Sequence, residues 1–259
     1  MNLKRPNAAI VGMGQLGRVL GEGLLCSGWT VTAFRRHERD YDSVNPVDMA
    51  VIATGEDDLG QALSSVPSSW LNSKTVLLQN ELLPTQWESR SVVDPTIFIV
   101  WFSKKPGEVI REYRPSLLHG PLSKEISIAM NSVGVKTELL ENNSELITAL
   151  VVKNTYIWAQ NIVSIALKDP LASSVLAKYR GVLDSVIDEV ISVQESSIGQ
   201  SLDRSLIIKE VIEVISKDAD KKLGGRVARA RLERLVKLAT SIDVAVPTLF
   251  EIKARLSPL

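Results

Sequence analysis

Cysteine is almost missing from this chain of 259 residues. Cys26 stands alone, so no disulfide can form within the chain, and a reducing compartment, the cytoplasm, is the expected setting. Histidine is nearly as scarce: His37 and His119 are the only two, and scattered as they are with one cysteine they make no metal site. Neither charge is in surplus, with 30 Lys and Arg against 30 Asp and Glu and a pI near 6.8. That balance argues against nucleic acid or an anionic membrane as the main partner. No apolar run approaches the ~20 residues of a membrane span, and glycines at 12, 14 and 17 break the stretch that a signal peptide would need. Internal repeats and low-complexity tracts are absent, and no nucleophile has a base beside it. With 45% hydrophobic residues at this length, the chain can bury a sizeable core in one large or two modest domains.

What is present starts close to the N-terminus. Ala8 to Val11 is a short apolar run that reads as a buried strand and stops at a glycine. The spacing Gly12-Met13-Gly14-Gln15-Leu16-Gly17 follows, and a helix-like run through Leu24 and Leu25 comes next. In a dinucleotide site Gly12 allows the tight turn, Gly14 admits a pyrophosphate close to the backbone, and Gly17 lets the helix lie against the strand. The helix N-terminus adds unpaired N–H groups and a partial positive charge. The competing reading is a glycine-rich turn used only for packing. The strand before the glycines and the helix after them favour the nucleotide.

Up to about residue 140, apolar strand-like runs alternate with helical segments: Ala8–Val11, Thr30–Phe34, Asp48–Ala53, Thr75–Gln79, Ile97–Phe102 and Val135–Leu140, with helices over Leu16–Ser27 and Leu59–Val66. Continuous apolar strands between helices predict a mostly parallel sheet of Rossmann type, covered on both faces. Ser103–Pro115 reads as loops and turns. Beyond Asn142 the strand signals stop, and helical periods run over Glu145–Leu167, Val175–Ser192, Ser205–Ser216, Val227–Ile242 and Thr248–Leu256. Asn142 with Glu145 has the form of a capping box. The expectation is an α/β domain over 1–140 and an all-helical domain over 141–259. Apolar faces on helices such as 205–216 suit a homodimer, and core packing explains them equally well.

A free ribose 2′-hydroxyl usually meets an acidic residue at the end of the second strand, about 20 residues after the glycines. Here Thr30–Phe34 runs into Arg35, Arg36 and His37. Guanidiniums at that place suit a 2′-phosphate, so NADP(H) is expected over NAD(H), with Arg35 as the favoured contact. The alternative is that 35–40 is a solvated charge run.

The segment Glu145–Leu167 is apolar almost all round. Its few polar residues gather: starting from Lys153 at ~100° per residue, Gln160, Asn161, Ser164 and Lys168 fall within roughly a third of the circumference. A lysine in a greasy helix costs several kcal/mol unless it is paired or gives up its charge, and both outcomes are typical of catalytic lysines. Against this stands a lysine that snorkels to the surface or meets a core carboxylate.

Taken together the chain resembles the ketopantoate reductases, within the 6-phosphogluconate and hydroxyacid dehydrogenase-like oxidoreductases. The resemblance rests on Val11 to Gly17, Arg35, Leu77-Leu78-Gln79-Asn80, Leu118-His119-Gly120-Pro121, Lys153 with Asn161, and Val244-Ala245-Val246-Pro247. It implies an NADP-binding domain, an all-helical domain, and a small 2-oxo acid reduced by hydride in the cleft between them, ketopantoate to pantoate being the first candidate. Gly12, Met13, Gly14, Gln15, Leu16, Gly17, Arg35 and Asn80 would hold the cofactor. Lys153 would be the general acid, Asn80 would also hold the reacting carbonyl in register, and Asn161 and Ser216 would bind substrate.

Departures from the family pattern leave the substrate open. Where the family carries a lysine after the third strand, this chain has Thr54-Gly55-Glu56-Asp57-Asp58, and Ile157 stands where a further asparagine is common. The region of the family's late glutamate reads Gly224-Gly225-Arg226-Val227-Ala228-Arg229. Arg226 and Arg229 either clamp a carboxylate or decorate an exposed face, and Glu233 replaces the glutamate only if it faces the substrate. Two alternatives follow: a related enzyme acting on another 2-oxo or 3-hydroxy acid, or an NADP(H)-binding regulatory protein without turnover.

Overall fold

The computed structural model describes residues 5–256 except 36, 37, 39, 45, 169 and 226. The chain divides into two compact units, Met1–Ala149 and Leu150–Leu259.

The first unit is built on β1 (Asn7–Val11), α1 (Gln15–Cys26), β2 (Thr30–Phe34), β3 (Met49–Ile52), α2 (Leu59–Ser65), β4 (Thr75–Leu77), α3 (Pro84–Glu88) and β5 (Thr96–Ile99). It continues with β6 (Phe102–Ser103), β7 (Arg111–Glu112), β8 (Ser116–His119), α4 (Ser123–Ser132) and β9 (Thr137–Leu139). The main sheet has seven strands in the order β2-β1-β3-β4-β5-β8-β9. The first five run parallel, and β1 is paired on both sides, Ile10 lying opposite Ala33 and Val51. Strands buried on both faces explain the continuous apolar runs. One face packs Ile10, Val51, Val76 and Phe98 against Val19, Leu20 and Leu24 of α1 and Ile126 and Met130 of α4. Elsewhere in the unit Phe34, Tyr41 and Trp70 form an aromatic cluster, with the rings of Phe34 and Tyr41 4.8 Å apart.

Three features of this unit differ from the sequence expectation. The stretch Ser103–Pro115, expected as loops and turns, also carries strand pairing, Ser103 lying opposite Arg111 in the β6–β7 hairpin. Strand β8 and helix α4 have no counterpart in the expected elements, and β8 runs antiparallel to β5, with Ile97 opposite His119. Strand β9 is parallel to β8 and therefore also reversed.

Helix α5 spans Asn143–Leu167, and the division between the units falls within it, after Ala149. Its start is capped: Asn142 Oδ1 accepts from the Glu145 N–H at 3.0 Å, and the Glu145 carboxylate accepts from the Glu141 N–H at 2.8 Å. The second unit adds α6 (Ala172–Lys178), α7 (Arg180–Ile198), α8 (Arg204–Ser216), α9 (Ala228–Ser241) and α10 (Pro247–Leu256). Residues 150–163 of α5 are all buried, as its apolar circumference requires. Helix α7 ends on Gly199 in the left-handed conformation, φ +70°. Arg204 at the start of α8 pairs with Asp188 and Glu195 of α7, and its hydrogen bond to Glu195 holds the guanidinium above its ordinary pKa. The buried Glu189 of α7 accepts the first free N–H groups of α10, from Thr248 at 2.7 Å and Leu249 at 2.9 Å. No helix among the described residues is long and apolar enough to cross a membrane.

Candidate functional site

The glycine turn between β1 and α1 is built as its spacing requires. Gly12 has φ +104° and donates its N–H to Phe34 O at 2.9 Å, and a Cβ on it would lie 2.7 Å from Ala53 O. A Cβ at Gly17 would lie 2.1 Å from Gly12 O, so this residue must be glycine for α1 to approach the turn. Gly14 is different: a Cβ there would meet nothing within 4 Å. Packing accounts for Gly12 and Gly17 and leaves Gly14 unexplained, which is the position where a ligand needs the backbone bare. Gly14 is the N-cap of α1 and has no side chain to occupy the free N–H groups of the first turn, which Gln15 and Leu16 begin. Leu16 and Met13 pack partly buried against the core below.

A cavity of about 280 Å³ opens on this turn, lined among others by Gly12, Met13, Gly14, Arg35, Thr54 and Asp58. Thr54 Oγ1 is buried there and has no hydrogen-bond partner. A bare glycine, a helix N-terminus, an unsatisfied hydroxyl and a guanidinium along one cavity fit a nucleotide cofactor. Arg35 lies just past β2, as expected. A carboxylate that spacing does not reveal stands beside it: Glu38 Oε2 accepts from the Arg35 N–H at 2.8 Å. Arg36 and His37 lie outside the described residues.

Past β4, the Gln79 side chain ties the sheet ends together by donating to the carbonyls of Ile52 and Thr54. Asn80 follows, half-buried, and its Nδ2 donates to Glu56 Oε1 at 2.9 Å. Glu56, in the segment after β3, thus binds Asn80 directly. His119 ends the reversed strand β8 opposite Ile97, with Nδ1 3.2 Å from Leu140 O.

In the second unit Lys153 is only 9% exposed and is not a surface lysine. Its Nζ lies 5.8 Å from the centroid of the Tyr156 ring, and Lys221 Nζ donates to Tyr156 OH at 3.4 Å. Two turns further along α5, Asn161 is 2% exposed. Its Nδ2 donates to Ile157 O at 2.7 Å, its Oδ1 accepts from Arg231 Nη1 at 3.4 Å, and a Cβ at Gly225 would fall 2.2 Å from that oxygen. Spacing gives no sign of the buried Arg231. Ser216 ends α8 exposed, its hydroxyl donating to Glu213 O at 2.9 Å. Arg229 and Glu233 are exposed and pair with each other at 3.1 Å. Arg226 lies outside the described residues. Among the described residues no cluster of His, Cys, Asp and Glu could hold a metal ion.

No protein-family model matches the sequence, and no curated protein does. Solved structures do match. A 2-dehydropantoate 2-reductase from Methylococcus capsulatus superposes with a TM-score of 0.69 at 18% identity, over 96% of this chain and 95% of that one. A dimeric ketopantoate reductase from Staphylococcus aureus gives 0.68 at 17% identity, over 96% and 97% of the two chains. A D-mandelate dehydrogenase in complex with NADH gives 0.68 at 12% identity, over 96% of each. Along nearly its whole length, the chain has the fold of the ketopantoate reductases.

Proposed function

We propose that this protein is an NADPH-dependent oxidoreductase that reduces a small 2-oxo acid to a 2-hydroxy acid, with ketopantoate the first substrate to test. The observation that carries the reading is the bare backbone at Gly14, with open space there where Gly12 and Gly17 are closely packed. Arg35, at the edge of the same cavity, suits the 2′-phosphate. The bound cofactor supplies the hydride that the substrate's C2 accepts.

The chain's own residues supply the rest. The α1 N-terminus and the N–H groups after Gly14 hold the pyrophosphate. Lys153 gives its proton to the carbonyl oxygen as negative charge develops on it, so carbon gains hydride and oxygen gains the proton. Asn80, with Nδ2 committed to Glu56, keeps Oδ1 as an acceptor toward the cofactor. Asn161 takes part through the Arg231 contact. The Staphylococcus aureus neighbour is dimeric, and a homodimer is the assembly we expect.

Oxidation of NADPH by the purified protein on adding ketopantoate, saturating with ketopantoate concentration, is the expected result. Tight NADPH binding with no turnover on any 2-oxo acid would overturn the catalytic reading and leave a binding protein.

A second reading keeps the chemistry and changes the substrate. It is favoured by Glu56 standing on Asn80 and by the exposed Glu233 paired with Arg229, neither of which reproduces the family's substrate contacts. A panel of 2-oxo and 3-hydroxy acids separates the two: higher kcat/KM for another acid than for ketopantoate selects the second.

A further inference from the structure

Three charged side chains from two stretches of the first unit line one cavity. Its volume is about 610 Å³, and Met13, Arg18, Ala33, Arg35 and Glu38 form its walls. It shares Met13 and Arg35 with the cavity on the glycine turn. Arg18 comes from the start of α1, where its N–H donates to Gly14 O at 3.1 Å, so the helix that carries the turn also fixes this guanidinium's root. Arg35 follows β2. Glu38 folds back on it: the Glu38 carboxylate accepts from the Arg35 N–H at 2.8 Å, and the Glu38 N–H donates to Arg35 O at 3.0 Å. These reciprocal bonds pin a carboxylate at the strand tip.

The two signs of charge in this cavity favour different ligands. A phosphate monoester carries close to two negative charges near neutral pH and pairs with forked guanidiniums. A carboxylate at a strand tip repels that phosphate and accepts a hydrogen bond from a ribose hydroxyl. Here both signs are held on the same wall.

We propose that Arg18 acts with Arg35 in holding the 2′-phosphate of the cofactor, and that Glu38 opposes it and accepts a 2′-hydroxyl, so that the preference for NADPH is shallow and NADH is also used. The inference rests on the nucleotide site proposed above and names the residues that set its selectivity. Arg18, whose value is invisible in the strand-end sequence, is the specificity residue contributed by the helix.

The test uses 2′,5′-ADP and 5′-AMP as probes, titrated calorimetrically into the full-length protein, so that it reads binding without turnover. The variants are Arg18→Ala, Arg35→Ala and Glu38→Gln, all at exposed positions where the fold is expected to be kept. Wild type should bind both probes, with 2′,5′-ADP the tighter. Arg18→Ala and Arg35→Ala should each weaken 2′,5′-ADP by about ten- to a hundredfold, the loss expected for a charge-assisted contact, and leave 5′-AMP unchanged. Glu38→Gln should tighten 2′,5′-ADP and weaken 5′-AMP. An unchanged ratio of the two affinities in Arg18→Ala or in Glu38→Gln overturns the inference while the nucleotide site stands. Failure of wild type to bind either probe overturns both.

Discussion

Asn80 Nδ2 donates to Glu56 Oε1 at 2.9 Å, joining the segment after β4 to the segment after β3. An ionised carboxylate only accepts, so the amide is oriented with its nitrogen on Glu56 and its oxygen turned to other partners. Glu56 is therefore a positioning residue for Asn80. Asn80→Ala and Glu56→Ala are each expected to lower kcat/KM for the 2-oxo acid about tenfold. The double variant should lose less than the product of the two, with a coupling of about 0.5–3 kcal/mol in a double-mutant cycle. Full additivity would mean that the pair does not act as a unit.

The glycine turn separates packing from binding. Gly17→Ala puts a methyl group against a backbone oxygen at 2.1 Å, and a loss of about 1–3 kcal/mol is expected in urea unfolding. Gly14→Ala meets no protein atom within 4 Å. It should unfold like wild type and lose NADPH affinity by an order of magnitude or more, about 1.4 kcal/mol, measured by fluorescence titration.

Lys153→Ala is expected to cost about a hundred- to ten-thousandfold in kcat, the range of a general acid. NADPH affinity should stay near wild type, because the glycine turn does not involve this residue. Stopped-flow measurement of NADPH oxidation with saturating acid reads the loss directly.

Gly225→Ala tests how Asn161 is held. The new methyl group would lie 2.2 Å from Asn161 Oδ1, so the amide must leave the Arg231 contact or the backbone must shift. The expected outcome is a rise in KM for the 2-oxo acid with the KM for NADPH unchanged, measured in steady state.

Glu189 is a stability device with no role in the proposed chemistry. Its two oxygens satisfy two N–H groups at the start of α10. Glu189→Ala should cost about 2 kcal/mol in urea unfolding, and Glu189→Gln roughly half of that, since an amide keeps one accepting oxygen.

The parts of this architecture that depend on local pattern are legible in the sequence. The Gly12-x-Gly14-x-x-Gly17 turn, the parallel strands β1 to β5 and the long buried α5 follow from spacing and periodicity. Strand β8 is not legible, because four residues alternating buried and half-buried carry too little period and nothing local sets the direction of a strand. Contacts that join distant stretches are also hidden. Glu56 meets Asn80 only because β3 and β4 are neighbours, and Gly225 reaches Asn161 only once the chain before α9 packs near α5. Glu38 escapes a reading by spacing since the expected acid stands at the strand end, whereas Glu38 lies beyond it and is held there by its bond to the Arg35 N–H.

Helix α1 closes on Cys26, which is exposed and is the sole thiol in the chain. A maleimide dye therefore attaches at one known point, about 17 Å along the helix axis from Gln15. Without any engineering, the molecule offers a single-site optical reporter fixed to the same rigid rod whose other end carries the bare glycine.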